Sequence, residues 1–394
     1  MSALPLAVQP SLPGNKMGIL KSLLLSLPVL LLSTLFLMGN AFEGTNPDPI
    51  RLISSGIAWL AVNICFFLMM RTGKTARYRK VIFIAAALLF VVSFMSNLIQ
   101  MRGSIVLTED NIASGETPFC HIVIPMVLIP AALNRTIIFP GSMLGAYGIA
   151  SMLVIWIGST LALGKGWCSW VCFYGGLDEG CANLAKKARV KNINKLWTYF
   201  PYAMLIFIAL TSAAALSPIY CEWFCPFKAV TEYAAITSTK VLIQTVLFYS
   251  LFVGLVVVLP FLTRKRTQCG LFCPFGVMQS FTNKVNIYDV RIDPDKCSGC
   301  KACMRACPTF SLDETSLSSG KTLISCTKCG ECVDTCQKKA ISYHIKGTGI
   351  NSHPTLARVL YLYPAVLLMT AIGGGIIADG LYRLLKLITT GSIL

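Results

Sequence analysis

The sequence predicts an α-helical integral membrane protein of about seven transmembrane helices that carries one small, polar α+β segment. Three observations predict it. The 394 residues are 55% hydrophobic and 13% charged, with a mean hydropathy of +0.67, a balance foreign to soluble domains. Seven uncharged stretches are long enough to cross a hydrocarbon core of about 30 Å as helices. Between the sixth and the seventh lies a polar segment, residues 288–346, with regularly spaced cysteines.

The seven stretches are Ser22 to Met38, Leu52 to Met70, Val81 to Met101, Gly141 to Gly164, Leu196 to Leu216, Val241 to Thr263, and Val359 to Ala378. Lys16 and Lys21 ahead of the first, with small residues at Gly39 to Ala41 after it, also fit a secretory signal; either reading leaves residue 41 outside. The loop RTGKTARYRK, between the second and third stretches, is basic and lacks an acid, which places it in the cytoplasm. Alternation then puts Lys165 to Lys195 and Arg264-Lys265-Arg266 inside. The segments bearing Glu43 and Asp48, Glu109, Asp110 and Glu116, and Glu222 and Glu232 fall outside. The basic clusters thus share one side, and the rival reading of them as a nucleic-acid footprint is set aside.

The organisation follows from these spans. Residues 1–101 are N-terminal transmembrane helices, and 102–287 a cysteine-bearing membrane core with a long outer loop. Residues 288–346 are the polar segment and 347–394 a last helix. In the outer loop, CHIVIPMVLIPAALN is apolar but too short to cross and is interrupted by Pro125 and Pro130. It is expected to dip into the membrane packed against protein. Residues 177–195 read as a basic helix at the inner surface, or as a solvated connector.

The polar segment contains an internal repeat: Cys297, Cys300, Cys303 and Cys307 recur 29 residues later as Cys326, Cys329, Cys332 and Cys336. CSGCKACMRACP is the C-x2-C-x2-C-x3-C-P run of bacterial ferredoxins with two [4Fe-4S] clusters, and CTKCGECVDTC is its partner without the proline. Three close cysteines wrap one face of a cubane, while the fourth lies too far around the turn and reaches the other cluster. One cluster therefore takes Cys297, Cys300, Cys303 and Cys336; the second takes Cys326, Cys329, Cys332 and Cys307. Zinc usually pairs two separated C-x2-C knuckles instead of four cysteines in one run. Disulfides are disfavoured on the reducing side of the membrane, where this segment follows Arg264-Lys265-Arg266. The segment reads as a cytoplasmic two-[4Fe-4S] ferredoxin-like unit.

The membrane core repeats a second motif. C-x3-C occurs as Cys168/Cys172 in GWCSWVCF, Cys221/Cys225 in CEWFCPF and Cys269/Cys273 in CGLFCPF. On a helix this spacing puts two thiols on one face. The first and third pairs both lie at cytoplasmic ends of spans, where they can meet and supply the four ligands of a further cluster. Cys221 and Cys225 belong to the outer layer with Cys120 and His121. That set fits a metal or cluster, or a disulfide, since the outside is oxidising. Cys65 reads as a small buried hydrophobe, and Cys181 takes no assigned role.

Other redox chemistries lack ligands. None of the three histidines, His121, His344 and His353, lies within a span, so a transmembrane bis-histidine haem is not expected. There is no C-x-x-C-H for a c-type haem, and no Walker or dinucleotide glycine pattern; no flavin is expected. Gly373-Gly374-Gly375 in the last span is expected to let helices approach closely.

Multi-pass helices, C-x3-C-P motifs at helix ends and a two-cluster ferredoxin segment together resemble the membrane polyferredoxins of the NapH and NosR type, over roughly residues 140–345. The resemblance implies electron transfer, with Cys168, Cys172, Cys221, Cys225, Cys269 and Cys273 matching the family's membrane motifs. It implies a multi-pass protein of the bacterial inner membrane, an electron-transfer subunit of an oxidoreductase complex. Such a subunit relays electrons from a cytoplasmic or quinol donor to a membrane or periplasmic redox partner, with quinone as a candidate ligand. Support of metal-centre maturation in another enzyme is the alternative. The chain departs from the pattern in three ways: Phe173 stands where proline is usual, three C-x3-C pairs stand where two are usual, and no large periplasmic flavin domain precedes the helices.

Overall fold

The computed structural model describes residues 17–39, 48–101, 121–135, 149–191, 193–231, 236, 238–349 and 353–392. Among these, five helices are long and apolar enough to cross a membrane: Ile19–Met38, Pro49–Thr72, Lys195–Ala215, Thr239–Thr263 and Pro354–Thr390. Of the other two expected spans, one is the continuous helix Thr75–Met101, which opens on Arg77, Arg79 and Lys80. The other is seen as Ile149–Leu163, its expected first turns lying outside the described residues. Outward-facing leucines such as Leu20, Leu24, Leu31 and Leu35 give the first helix an exposed apolar face, as a lipid-facing surface requires.

The 37-residue helix Pro354–Thr390 packs along the first three helices and carries the middle of the fold. Its glycines allow this. A Cβ on Gly374 would stand 2.5 Å from Leu37, and one on Gly373 would meet the Phe173 ring at 3.3 Å. The close approach expected of the glycine run is therefore found. Local signals set the other helix ends: Asp48 caps Pro49–Thr72 by accepting from the Ile50 N–H at 2.9 Å, and Gly73, at φ +75°, ends it.

Two of the three C-x3-C segments turn back into the helix bundle. After Ala215 the chain reverses through Leu216, in the left-handed region, and Tyr220–Phe224 runs back beside the helix it has just left. Phe224 packs edge-on to Phe207, with ring centroids 5.7 Å apart, and Gln244 donates to the Glu222 carbonyl. Likewise Arg264, also left-handed, ends Thr239–Thr263, and Thr267 returns to donate to the Leu255 carbonyl at 2.6 Å. His121–Val123 and the 11-residue helix Ile124–Asn134 form the short apolar segment. At 1.5 Å per residue that helix is about 16 Å long, too short to cross, and it packs against Phe200–Ala215 with Ile124, Met126 and Val127 buried.

The polar segment is framed by strands β1, Tyr288–Ile292, and β2, Ile341–Ile345, paired antiparallel with Tyr288 opposite Ile345. Short helices Ala302–Ala306 and Glu331–Thr335 lie within the two cysteine runs, each carrying the third cysteine of its run, and pack on each other. The segment docks directly on the membrane helices. Asp334 accepts from the Thr75 and Ala76 N–H groups, at 3.2 and 2.8 Å, and so caps the third helix. Tyr343 stacks on Tyr361 of the last helix, with centroids 5.1 Å apart.

One expectation is corrected. The basic stretch 177–195 does not form a surface helix: the helix is Phe173–Leu184 and ends before Lys186. It buries Asp178 and Glu179, the two acids of that loop, against cations from elsewhere in the chain.

Candidate metal centres

Cys307, Cys326, Cys329 and Cys332 line a single cavity in the polar segment, together with Val290, Leu312 and Lys328. Four thiols that the sequence splits between two runs thus face one space. The two halves are folded on each other, so the last cysteine of the first run reaches the second run's loop. The companion set is more open: Cys303 is buried in the electrostatic field of Cys297 and Cys336, while Cys300 is exposed. Backbone N–H groups point at the sulfurs, Ser311 to Cys307 Sγ at 3.2 Å and Ala340 to Cys336 Sγ at 3.3 Å.

Cys168, Cys172, Cys269 and Cys273 line a second cavity, in the membrane core. The first and third C-x3-C pairs therefore do meet. Each pair spans a short helical turn whose last thiol precedes a new helix, Phe173–Leu184 or Pro274–Val285. The Cys269 N–H donates to buried Asp178 at 2.9 Å, and Arg266 donates to Cys269 Sγ at 3.2 Å.

Buried cations join the two cavities. Arg79 donates to the Cys329 carbonyl at 3.0 Å and to the Ser169 carbonyl, next to Cys168, at 2.9 Å, while it pairs with Glu179. The Arg266 N–H donates to the carbonyl of Pro308, which follows Cys307, and its side chain donates to Ser169 Oγ and the Cys168 carbonyl. Lys328 reaches the Leu163 carbonyl and Asn283 Oδ1, and the Trp170 indole donates to the Lys328 carbonyl. Burial pushes the Lys328 ammonium down to about 7, against the opposing pull of the Cys326 thiolate.

Cys221 and Cys225 are buried in the same apolar core as the membrane set. The sequence puts this pair at the opposite face, yet the backward turn of Tyr220–Phe224 brings its neighbours inward. Tyr220 OH accepts from Gln268, the residue before Cys269, at 3.2 Å, and Phe227 stacks on Tyr174 at 3.9 Å. Cys120 lies outside the described residues. His121, grouped on sequence with Cys221 and Cys225, lines the cavity of Cys168, Cys172, Cys269 and Cys273 instead. Cys65 and Cys181 are half-buried and line neither cavity.

The two cavities are each lined by four thiols and suit the same kind of group. Among the described residues, no three His, Cys, Asp or Glu side chains close around one point as the ligands of a single ion do. A zinc site draws its thiolates to about 2.3 Å from the metal. Here four thiols line one space, a donor set of the kind that holds an iron-sulfur cluster. The sequence reading missed Arg79, Arg266, Lys328 and Glu179. The one signal for them was an acidic pair, Asp178-Glu179, in an otherwise basic loop.

Comparison with known proteins adds to this geometry. The 4Fe-4S dicluster domain family matches residues 289–337, and a 4Fe-4S binding domain family matches three times, at 144–192, 197–243 and 245–289. Each of the three matches holds one C-x3-C pair. The putative electron transport protein YccM of Escherichia coli is 25% identical over 47% of this chain and 52% of its own length. The ferredoxin-type protein NapH of Haemophilus influenzae is 24% identical over 45% of this chain and 62% of its own. An uncharacterised protein of Methanocaldococcus jannaschii is 27% identical over 46% and 64%. The chain thus spans between half and two thirds of these relatives' lengths. No solved structure matches.

Proposed function

The chain resembles the NapH-like membrane polyferredoxins, and from that premise we propose that it relays single electrons between a cytoplasmic or quinol donor and a redox partner in or beyond the membrane. Iron-sulfur electron transport is the common element of its relatives and family matches. Cys297, Cys300, Cys303 and Cys336 hold one [4Fe-4S] cluster, and Cys307, Cys326, Cys329 and Cys332 a second. Cys168, Cys172, Cys269 and Cys273 hold a third. Bound there, the clusters supply one-electron carriers whose potentials depend on hydrogen bonds to sulfur and on solvent exposure.

The chain's own residues do the rest. Arg79 and Arg266 tie the backbone at Cys329 and Pro308 to that at Ser169 and Cys168, which fixes the spacing of the second and third sets. Their positive charge offsets the thiolates they face, in an interior where charge is felt strongly. Trp167, Trp170, Phe272 and Phe275 are buried around the membrane thiols and exclude water. The exposed Cys300 turns the first set towards solvent, where a soluble donor docks. Cys221 and Cys225 form the outer end of the route, next to Tyr220. The inner bacterial membrane, with the ferredoxin segment on its cytoplasmic side, is the placement that the basic loops favour.

The observation that carries the reading is the pair of four-thiol cavities, joined through Arg79. Its test is transfer across a bilayer. In proteoliposomes with the ferredoxin segment outward, an impermeant low-potential donor outside should reduce a one-electron acceptor trapped inside. Cys269→Ser should abolish the transfer while the ferredoxin clusters still reduce. Transfer by Cys269→Ser at the wild-type rate would overturn the route.

A further inference from the structure

His121 is half-buried and lines the membrane four-thiol cavity, and its Nε2 is buried with no hydrogen-bond partner among the described residues. The ring is held on several sides. Phe275 meets it edge-on at 4.7 Å, Trp167 at 5.6 Å, and Tyr174 lies tilted at 6.1 Å. Tyr174, Phe227 and Phe275 each stand two residues after the last cysteine of a C-x3-C pair. The three repeats therefore place equivalent aromatic rings on one wall of the cavity, and His121 is the polar group set into it.

Burying a ring nitrogen without a partner is unfavourable, and the surroundings, Ile122, Trp167, Tyr174 and Phe275, would take a phenylalanine without that cost. The acceptors lining the cavity are the four sulfurs and Gln268 Oε1, and the sulfurs are the ones that a bound cluster would present to the ring. Arg266 already donates to one of them, Cys269 Sγ, so the pocket is built to supply donors.

We propose that His121 donates a ring N–H to the sulfurs of the membrane cluster and raises its potential above that of an all-cysteine site without the donor. The inference rests on the reading that Cys168, Cys172, Cys269 and Cys273 hold a cluster. A donor at sulfur stabilises the more negative, reduced state, and hydrogen bonds to sulfur are a recognised lever on cluster potential. The low dielectric of the site strengthens the bond. A raised potential at this position draws electrons out of the ferredoxin segment and into the membrane.

The test uses the anaerobically purified full-length holoprotein. His121→Phe and His121→Gln are compared with wild type by EPR-monitored redox titration and by hyperfine spectroscopy after exchange into deuterated water. His121→Phe should keep its iron and lower the midpoint of one cluster, leaving the ferredoxin pair unmoved. It should also lose an exchangeable proton coupling. His121→Gln, which retains a donor, should recover part of the shift. An unchanged midpoint and an unchanged coupling in His121→Phe would overturn the inference, making the ring a packing element. A strongly coupled nitrogen in wild type, with loss of the cluster in both variants, would also overturn it, because His121 would then be a ligand. Absence of a third cluster signal from wild type would refute the underlying reading of the four cysteines.

Discussion

Replacing Arg79 with methionine removes the cation that stitches the ferredoxin segment to the membrane core. The side chains of Arg79 and Glu179 are 0% and 2% exposed. Without Arg79, Glu179 keeps the longer contact to Arg266 Nη1, at 3.8 Å. Breaking a buried ion pair by removing one partner costs about 3–5 kcal/mol. The Cys329 and Ser169 carbonyls also lose their donor, at about 1–3 kcal/mol for a buried group left unsatisfied. These losses share one side chain and do not add, so about 3–5 kcal/mol is expected for Arg79→Met. Glu179→Leu should cost a similar amount, because it leaves Arg79 buried with only the longer contact to Glu331, at 3.7 Å, among the described residues. The double variant Arg79→Met/Glu179→Leu should lose less than the two single losses combined, by about 2 kcal/mol or more, since an apolar pair strands no charge. Denaturant titration in detergent micelles, followed by tryptophan fluorescence, measures all four corners of this cycle. Additive losses would show that the two side chains do not act as a pair, and an unperturbed Arg79→Met would refute the reasoning outright.

Two further outcomes follow from the packing and from the folded-over repeat. Cys307→Ser should perturb the cluster of Cys326, Cys329 and Cys332 and spare that of Cys297, Cys300 and Cys303, as EPR of the two ferredoxin signals would reveal; loss of the other signal would reverse the ligand assignment. Gly176→Val should destabilise by about 1–3 kcal/mol or more through overpacking, because a Cβ there would lie 2.5 Å from Ala87 Cβ and 2.7 Å from the Phe83 carbonyl oxygen; equal midpoints for wild type and Gly176→Val in the same titration would contradict the close contact of the two helices.

What the sequence made legible and what it hid divide along physical lines. Spacing along the chain is a short-range property, and the 29-residue repeat groups Cys307 with Cys326, Cys329 and Cys332, which line one cavity. The meeting of Cys168/Cys172 with Cys269/Cys273 was also readable, from the sidedness of their flanking basic loops. Hydropathy, however, reports how apolar a stretch is and not whether the chain doubles back. The return of Tyr220–Phe224 beside Phe207 depends on a left-handed Leu216, a conformation that leucine rarely adopts and no composition signals. Arg79 and Arg266 looked like members of an inner basic layer because a charge that finds its partner a hundred residues away is indistinguishable, in one dimension, from a solvated one. His121 was misplaced for a related reason. It was assigned by its neighbour Cys120, whereas its position is set by the rings of Tyr174 and Phe275.

The central claim is that the membrane core holds a cluster of its own, and iron content tests it most directly. The full-length protein and the Cys168→Ser/Cys269→Ser variant, both purified anaerobically, should differ by about four iron per chain, one cubane, with the two ferredoxin EPR signals intact in each. Equal iron in the two preparations, at the roughly eight expected of a two-cluster ferredoxin, would contradict it.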